Sequence, residues 1–156
     1  MTDSHAPVIE ASIDIAAPPE QVWAIVSDPR AMGGFSDQVL RTIVRGTDPV
    51  GKGTRTLNIN RRGALVWPTR AKVIDFDPPR RYAYRVKDNA AIWTFDLEPT
   101  ATGTRLTHRR DASAGLTDVS LTLQRKVLGG VAPFEAEMEQ GMARTLERVK
   151  QAAEAA

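Results

Sequence analysis

Residues 13–28 read Ile-Asp-Ile-Ala-Ala-Pro-Pro-Glu-Gln-Val-Trp-Ala-Ile-Val-Ser-Asp. Ile13 and Ile15 alternate with Ser12, Asp14 and Ala16, the two-residue period of a half-buried strand. Pro18 and Pro19 end that strand. Proline suits the first turn of a helix, where its missing N–H would have had no partner, and Glu20 puts negative charge at the positive end of the helix dipole. Val22, Trp23, Val26 and Ile25 then form one apolar face at helical spacing, with the Val22-Trp23 pair expected in the core. The helix is expected to stop near Asp28-Pro29, because the residue before a proline is pushed out of the helical region.

Outward from this stretch, Ala31 to Ser36 carries Gly33-Gly34 and reads as a short helical turn or loop. Val39 to Arg45 is the next strand, ended by the turn cluster Gly46-Thr47-Asp48-Pro49. Thr54 to Asn60 is a strand, Arg61-Arg62-Gly63 a hairpin loop, and Leu65 to Asp75 a longer strand whose Pro68 calls for an edge position or a bulge. Asp77-Pro78-Pro79-Arg80, Asp88-Asn89 and Pro99 to Gly103 are turns around the strands Tyr82–Val86, Ala91–Leu97 and Thr104–Arg110. Seven strands at this spacing imply one antiparallel sheet.

The pattern changes from Gly115. Val119, Leu123, Val127 and Leu128 fit a short helix broken by Gly129-Gly130, and Pro133 opens the longest helix. Phe134, Met138, Met142, Thr145, Leu146 and Val149 share one face of it. Glu135, Glu137 and Glu139 near its start, with Arg144, Arg148 and Lys150 near its end, suit the helix dipole. A sheet with one long helix laid across it is a two-layer α+β arrangement.

The run from strand to Ala-Pro-Pro-Glu, then Val-Trp, then Asp28, with the order of the later elements, resembles the START-like (SRPBCC) superfamily in its polyketide cyclase/dehydrase branch. The chain departs from that pattern at Phe35-Ser36, where a tryptophan is common. The resemblance implies a helix-grip (START/Bet v 1-like) fold, in which a curved antiparallel sheet of about seven strands wraps the long C-terminal helix and encloses a cavity. It also implies a single START-like domain over residues 1–156, with a core of about residues 8–152.

At 156 residues the chain has the length of one domain, which buries roughly 70 % of its unfolded surface. It has no cysteine, so disulfides, thiol nucleophiles and thiolate metal sites are excluded. Its two histidines, His5 and His108, have no metal-ligand spacing, and neither a metal nor a cofactor is expected. Gly51-Lys52-Gly53-Thr54 has the ending of a phosphate loop but lacks the upstream glycine, and no Gly-x-Ser-x-Gly elbow occurs. With 21 basic and 19 acidic residues the net charge is +2, too balanced for nucleic acid as a partner. The arginine pairs Arg61-Arg62, Arg80-Arg81 and Arg109-Arg110 read as solvated strand and turn residues. No stretch has the length of an apolar membrane span, and Met1 to Pro7 lacks the pattern of a secretory leader, so a cytoplasmic setting is the expectation, as monomer or homodimer.

Alternation assigns the inner face of each strand. Expected inward are Leu57 and Ile59; Leu65, Trp67, Ala71 and Val73; Tyr82, Tyr84 and Val86; and Ala91, Trp93, Phe95 and Leu97. In the last strand Leu106 shares its face with His108 and Arg110. A buried guanidinium is costly unless it is paired, reaches the cavity mouth or meets an anionic or carbonyl-bearing ligand. Histidine is the natural proton carrier near neutrality, but a hydrogen-bonded histidine without catalytic role satisfies the same pattern. The aromatic set equally suits a packed core, and Met138 and Met142 suit either core or a pocket for varied apolar ligands.

Two functions follow. The first is a binding protein that holds an apolar or amphipathic small molecule, a lipid or a polyketide-like aromatic. Its ligand-binding residues would be Leu57, Ile59, Trp67, Tyr82, Tyr84, Trp93, Phe95, His108, Arg110, Met138 and Met142. The second, implied by the resemblance, is an aromatase/cyclase that promotes aldol cyclisation and dehydration of a poly-β-ketone. There His108 would move the proton, Arg110 stabilise the developing enolate or hold the substrate carbonyl, and Tyr84 donate to the leaving hydroxyl. A surface role, as in START-like chaperone co-factors, has no specific support in the charge pattern.

Overall fold

A computed structural model describes residues 8–46, 48–88, 90–113 and 131–156. The elements are β1 (Val8–Ile15), α1 (Pro19–Val26), a 3-10 helix (Pro29–Gly34), β2 (Val39–Val44), β3 (Arg55–Arg62), β4 (Leu65–Asp77), β5 (Arg81–Val86), β6 (Ile92–Pro99), β7 (Thr104–Asp111) and α2 (Val131–Ala155). The short helix expected after Gly115 lies outside the described residues. All strands are antiparallel in one curved sheet of order β1-β7-β6-β5-β4-β3-β2. β2 to β7 form a meander of hairpins, while β1 pairs with β7 at the far edge. The chain between β1 and β2 must therefore cross from one edge of the sheet to the other, and α1 and the 3-10 helix make that crossing.

The double proline does what its chemistry requires. Pro18 stays extended (φ −66°, ψ 156°) and Pro19 begins α1. The helix ends at Val26, and the Asp28 carboxylate accepts from the Arg30 N–H at 3.0 Å to cap the 3-10 helix. This corner is held from behind by the last hairpin. Thr104 Oγ1 donates to the Ala17 carbonyl at 2.7 Å in a buried setting, and Gly103 lies so close that a Cβ there would sit 2.1 Å from the Ile15 oxygen. From α2, Glu154 accepts from the Ala16 N–H at 2.9 Å and Lys150 Nζ donates to the Asp14 carbonyl at 3.1 Å.

The main core joins Ile15, Val22, Val26, Val73, Tyr82, Phe95, Leu97 and Leu106 to Leu146, Val149 and Ala153 of α2. Burial of each large apolar side chain contributes about 1.5–3 kcal/mol. Trp23 packs edge-on against Phe76 and Tyr82, at centroid distances of 5.2 and 6.5 Å, so the Val22-Trp23 pair belongs to this core as expected. A second cluster, Ile9 with Met138 and Met142 and the flank of Trp93, lies toward the start of α2. The face of α2 read from its periodicity is buried at Met138, Met142, Thr145, Leu146 and Val149. Arg144 and Arg148 do more than complement the dipole. Both bind Asp37, Arg148 at 2.7 Å, and Arg148 also donates to the Phe35 carbonyl at 3.0 Å, tying α2 to the start of β2.

Two strand details differ from the sequence expectation. The β3–β4 hairpin turns at Gly63-Ala64, with Arg61 and Arg62 inside β3; Gly63 has φ +61°, the glycine-first pattern of a type II′ turn. Pro68 lies in an interior strand, but it faces Ile59 of β3 at a position beyond the reach of β5, where β4 has no second neighbour among the described residues. The ladder therefore loses no hydrogen bond to the missing N–H. The bulge in β4 falls between Val73 and Asp75 instead.

Candidate functional site

The inner face of the sheet is the one that α2 covers, and register carries it from strand to strand. Leu106, His108 and Arg110 face Leu97, Phe95 and Trp93; Phe95 and Trp93 face Tyr82 and Tyr84; Tyr84 faces Val73. No register shift occurs between β6 and β7, so Arg110 points inward with His108. Six of the expected site residues thus lie side by side on β5, β6 and β7.

They divide between two environments. Tyr82 and Phe95 are part of the main core, with rings stacked at 6.5 Å and 11°, and burial drives the Tyr82 hydroxyl to hold its proton. His108 lies flat on Phe95, with centroids 4.0 Å apart and planes at 8°. Its Nδ1 is 3.2 Å from the Thr94 carbonyl. A carbonyl only accepts, so Nδ1 carries the proton of the neutral ring and Nε2 is left as an acceptor. Burial pushes the imidazole down to about 4, against the opposing hydrogen bond to Thr94, so at neutral pH the ring is uncharged.

Trp93 marks the second environment, and Tyr84, which also packs against the main core with its ring 5.8 Å from that of Tyr82, bridges the two. The Tyr84 and Trp93 rings stack at 6.5 Å and 10°, and the Arg110 guanidinium carbon stands 5.6 Å from the Trp93 ring centroid, a cation–π contact on a buried side chain. Burial raises the Tyr84 hydroxyl pKa, and the Arg110 charge offsets only part of that, so Tyr84 stays a neutral donor. Met138 and Met142 of α2 are buried in the cluster against which Trp93 packs. Trp67 also faces inward and is half-buried, opposite Asn60 of β3.

Leu57 and Ile59 are a correction. They pair with Arg70 and Pro68 and face away from α2; the inner face of β3 is Thr56, Asn58, Asn60 and Arg62. The cause is the two-residue turn. With Gly63-Ala64 as the loop, odd-numbered residues of β4 stand opposite even-numbered residues of β3, so inward Trp67 and Ala71 require inward Asn60 and Thr56. Leu57 and Ile59 therefore lie outside the interior they were expected to line.

The residues that replace them form a polar strip that apolar alternation passed over. Thr42 Oγ1 donates to Asn58 Oδ1 at 2.7 Å, and Asn60 Nδ2 donates to Thr69 Oγ1 at 2.9 Å and to the Trp67 carbonyl at 3.2 Å. Arg62 clasps Glu137 of α2 through two bonds of 2.6 and 3.0 Å, pinning the end of β3 to the helix. The signal was present in the alternation Thr56-x-Asn58-x-Asn60, read together with the parity of the turn. The inner surface thus runs from a dry aromatic end beneath α1 to a mixed end with aromatic rings, methionines, the guanidinium groups of Arg110 and Arg62, and amide and hydroxyl groups. No group of three or more metal-ligating side chains able to hold an ion occurs among the described residues.

A family model described as "Polyketide cyclase / dehydrase and lipid transport" matches residues 6–154. No curated protein matches the chain significantly. Among solved structures, the Polyketide_cyc-like protein Cgl2372 from Corynebacterium glutamicum is 24% identical, with 95% of this chain and 91% of that one covered and a TM-score of 0.67. The di-domain ARO/CYC StfQ from the steffimycin biosynthetic pathway is 13% identical, with 94% of this chain and 50% of StfQ covered and a TM-score of 0.77. The AHSA1-like protein from Aeromonas hydrophila is 17% identical, with 95% and 92% covered and a TM-score of 0.63. These likenesses establish the helix-grip fold.

Proposed function

The chain belongs to the polyketide cyclase/dehydrase and lipid transport family, and from that membership we propose that it binds an apolar or amphipathic small molecule, a lipid or a polyketide-like aromatic, inside the sheet. The observation that carries this reading is the mixed end of the inner face. Tyr84, Trp93, Met138 and Met142 give apolar and stacking area, while Arg110 and the Asn60–Thr69 pair give a few fixed polar groups. That is the composition of a small-molecule site rather than of a dry core. Tyr82, Phe95 and His108 support the site from below instead of lining it, since each is buried in or stacked on the main core.

The test is native mass spectrometry and solvent extraction of the purified protein, followed by titration with fatty acids and with hydroxylated anthraquinones. Bound ligand, or binding that Trp93→Ala weakens at least about ten-fold, a loss of about 1.4 kcal/mol, is the expected result. No extracted ligand and no binding across the panel would refute it.

A second reading, cyclisation and dehydration of a poly-β-ketone, draws on the fixed tautomer of His108, whose Nε2 is the acceptor, on the same face as Arg110 and Tyr84. It ranks second because a base whose pKa lies near 4 is poorly matched to proton abstraction at neutral pH. His108→Ala and Arg110→Leu would remain folded and lose turnover if this reading holds; unchanged turnover in both removes it.

A further inference from the structure

The outer face of the sheet carries a pattern that the inner site does not use. By register, Arg55, Lys72 and Arg85 stand directly opposite one another on β3, β4 and β5, three exposed cations in one row. The next row is Ile43, Leu57 and Arg70, the one after it Arg41, Ile59 and Pro68, and the last Arg61 and Val66. Leu57, Ile59 and Pro68 thus occupy the middle of the patch, Ile43 (39% exposed) lies on its β2 edge and Val66 (55% exposed) in its last row, and six cations stand among them. No acidic residue faces outward on β2, on β3, or on β4 as far as Lys72. Of the six cations only Arg70 has an ion-pair partner among the described residues, Asp88 at 3.4 Å.

Like charges directly opposite on neighbouring strands repel, so this row costs the isolated fold stability. A chain with a net charge of only +2 has gathered six cations on one face. A complementary surface must be densely anionic over the width of three strands and must also accept apolar side chains. We propose that this outer face of β2–β5 docks on an anionic lipid bilayer, with the cations at the headgroups and Ile43, Leu57, Ile59 and Val66 reaching the acyl boundary. An acidic protein is the poorer match. The patch presents no tryptophan, tyrosine or phenylalanine to anchor a protein interface, whereas basic side chains around aliphatic ones are what an anionic leaflet recognises. The proposal rests on the reading of the interior as a site for an apolar ligand, for which a bilayer is the source or the destination.

Co-sedimentation with phosphatidylcholine vesicles, and with vesicles containing about one third phosphatidylglycerol, tests it directly. Binding is expected only to the anionic vesicles, and should be lost between about 0.1 and 1 M salt as the screening length falls from about 10 to about 3 Å. Neutralising the row with Arg55→Gln, Lys72→Gln and Arg85→Gln should weaken binding roughly a hundred-fold, about five-fold per cation, while Ile43→Asp weakens it with the cations in place. Equal binding to neutral vesicles, or undiminished binding by the triple variant, overturns the proposal. Binding to polyglutamate as tight as to the vesicles would assign the face to an acidic protein and overturn it equally. Binding of a soluble naphthalene-sulfonate dye to the interior should be unchanged in the triple variant. If that dye and the ligand panel fail with the unaltered protein, it is the reading of the interior that falls, and the vesicle result is scored separately.

Discussion

His108 should make this fold acid-sensitive through a single proton. The ring is buried against Phe95 with Nδ1 on the Thr94 carbonyl, and its pKa is about 4 in the folded chain against 6.5 for an unperturbed imidazole. Because the folded value is depressed, the contribution of the neutral ring is complete above about pH 6.5. It falls as the unfolded chain takes up the proton that the folded chain refuses, and stops changing once the pH is below about 4. Integrating between these two values gives a loss of about 2 kcal/mol of unfolding free energy from pH 7.5 to pH 5, with a limiting slope of about 1.4 kcal/mol per pH unit.

Urea unfolding at several pH values in that window, on the unaltered protein and on His108→Phe, measures it. Phenylalanine keeps the stack on Phe95 and removes the titration. It also deprives Thr94 of its ring partner, an offset of about 1–3 kcal/mol that does not depend on pH, so the slope is the readout. His5 and the carboxylates are common to both proteins and cancel in the difference. The unaltered protein should lose about 2 kcal/mol more than the variant across the window; parallel pH profiles would show that His108 is hydrated or charged in the fold and refute the reasoning.

Gly103→Ala should lower stability by about 2 kcal/mol or more, moving the thermal midpoint down by about 4–8 °C, because the new Cβ would sit 2.1 Å from the Ile15 carbonyl oxygen; a midpoint unchanged in a thermal melt would mean that the β1–α1 corner is not packed against the last hairpin. Asp37→Asn should destabilise modestly, by less than about 1 kcal/mol for a half-exposed pair. Burial alone would raise the Asp37 pKa, but hydrogen bonds from Arg144 and Arg148 and their charges hold it below 3.8. Its contribution is therefore present above about pH 3.8 and lost as the pH falls through the lowered folded value, so acid-unfolding curves of the two proteins should converge there.

Local features carried much of this protein in plain view. The turn residues and alternation announced seven strands, the double proline and Asp28-Pro29 bounded α1, and the spacing of Met138, Met142, Leu146 and Val149 marked the buried face of α2. These succeed because backbone preference and side-chain period are set within a few residues. The inward aromatic set of β5 and β6, with His108 and Arg110 on β7, was legible for the same reason: one face of each strand is clearly apolar or ends in a clear exception.

Tertiary structure decided what alternation leaves symmetric. Both faces of β3 alternate, apolar Leu57 and Ile59 against polar Thr56, Asn58 and Asn60, and only the Gly63-Ala64 turn selects which set meets α2. A two-residue loop fixes the parity of the pairing, and a one-residue slip would turn every side chain to the other side. The same pairing places cations from separate strands in one row and aliphatic side chains between them. No linear reading collects these, because they stand about 15 residues apart in the chain and one strand spacing, about 5 Å, apart in space.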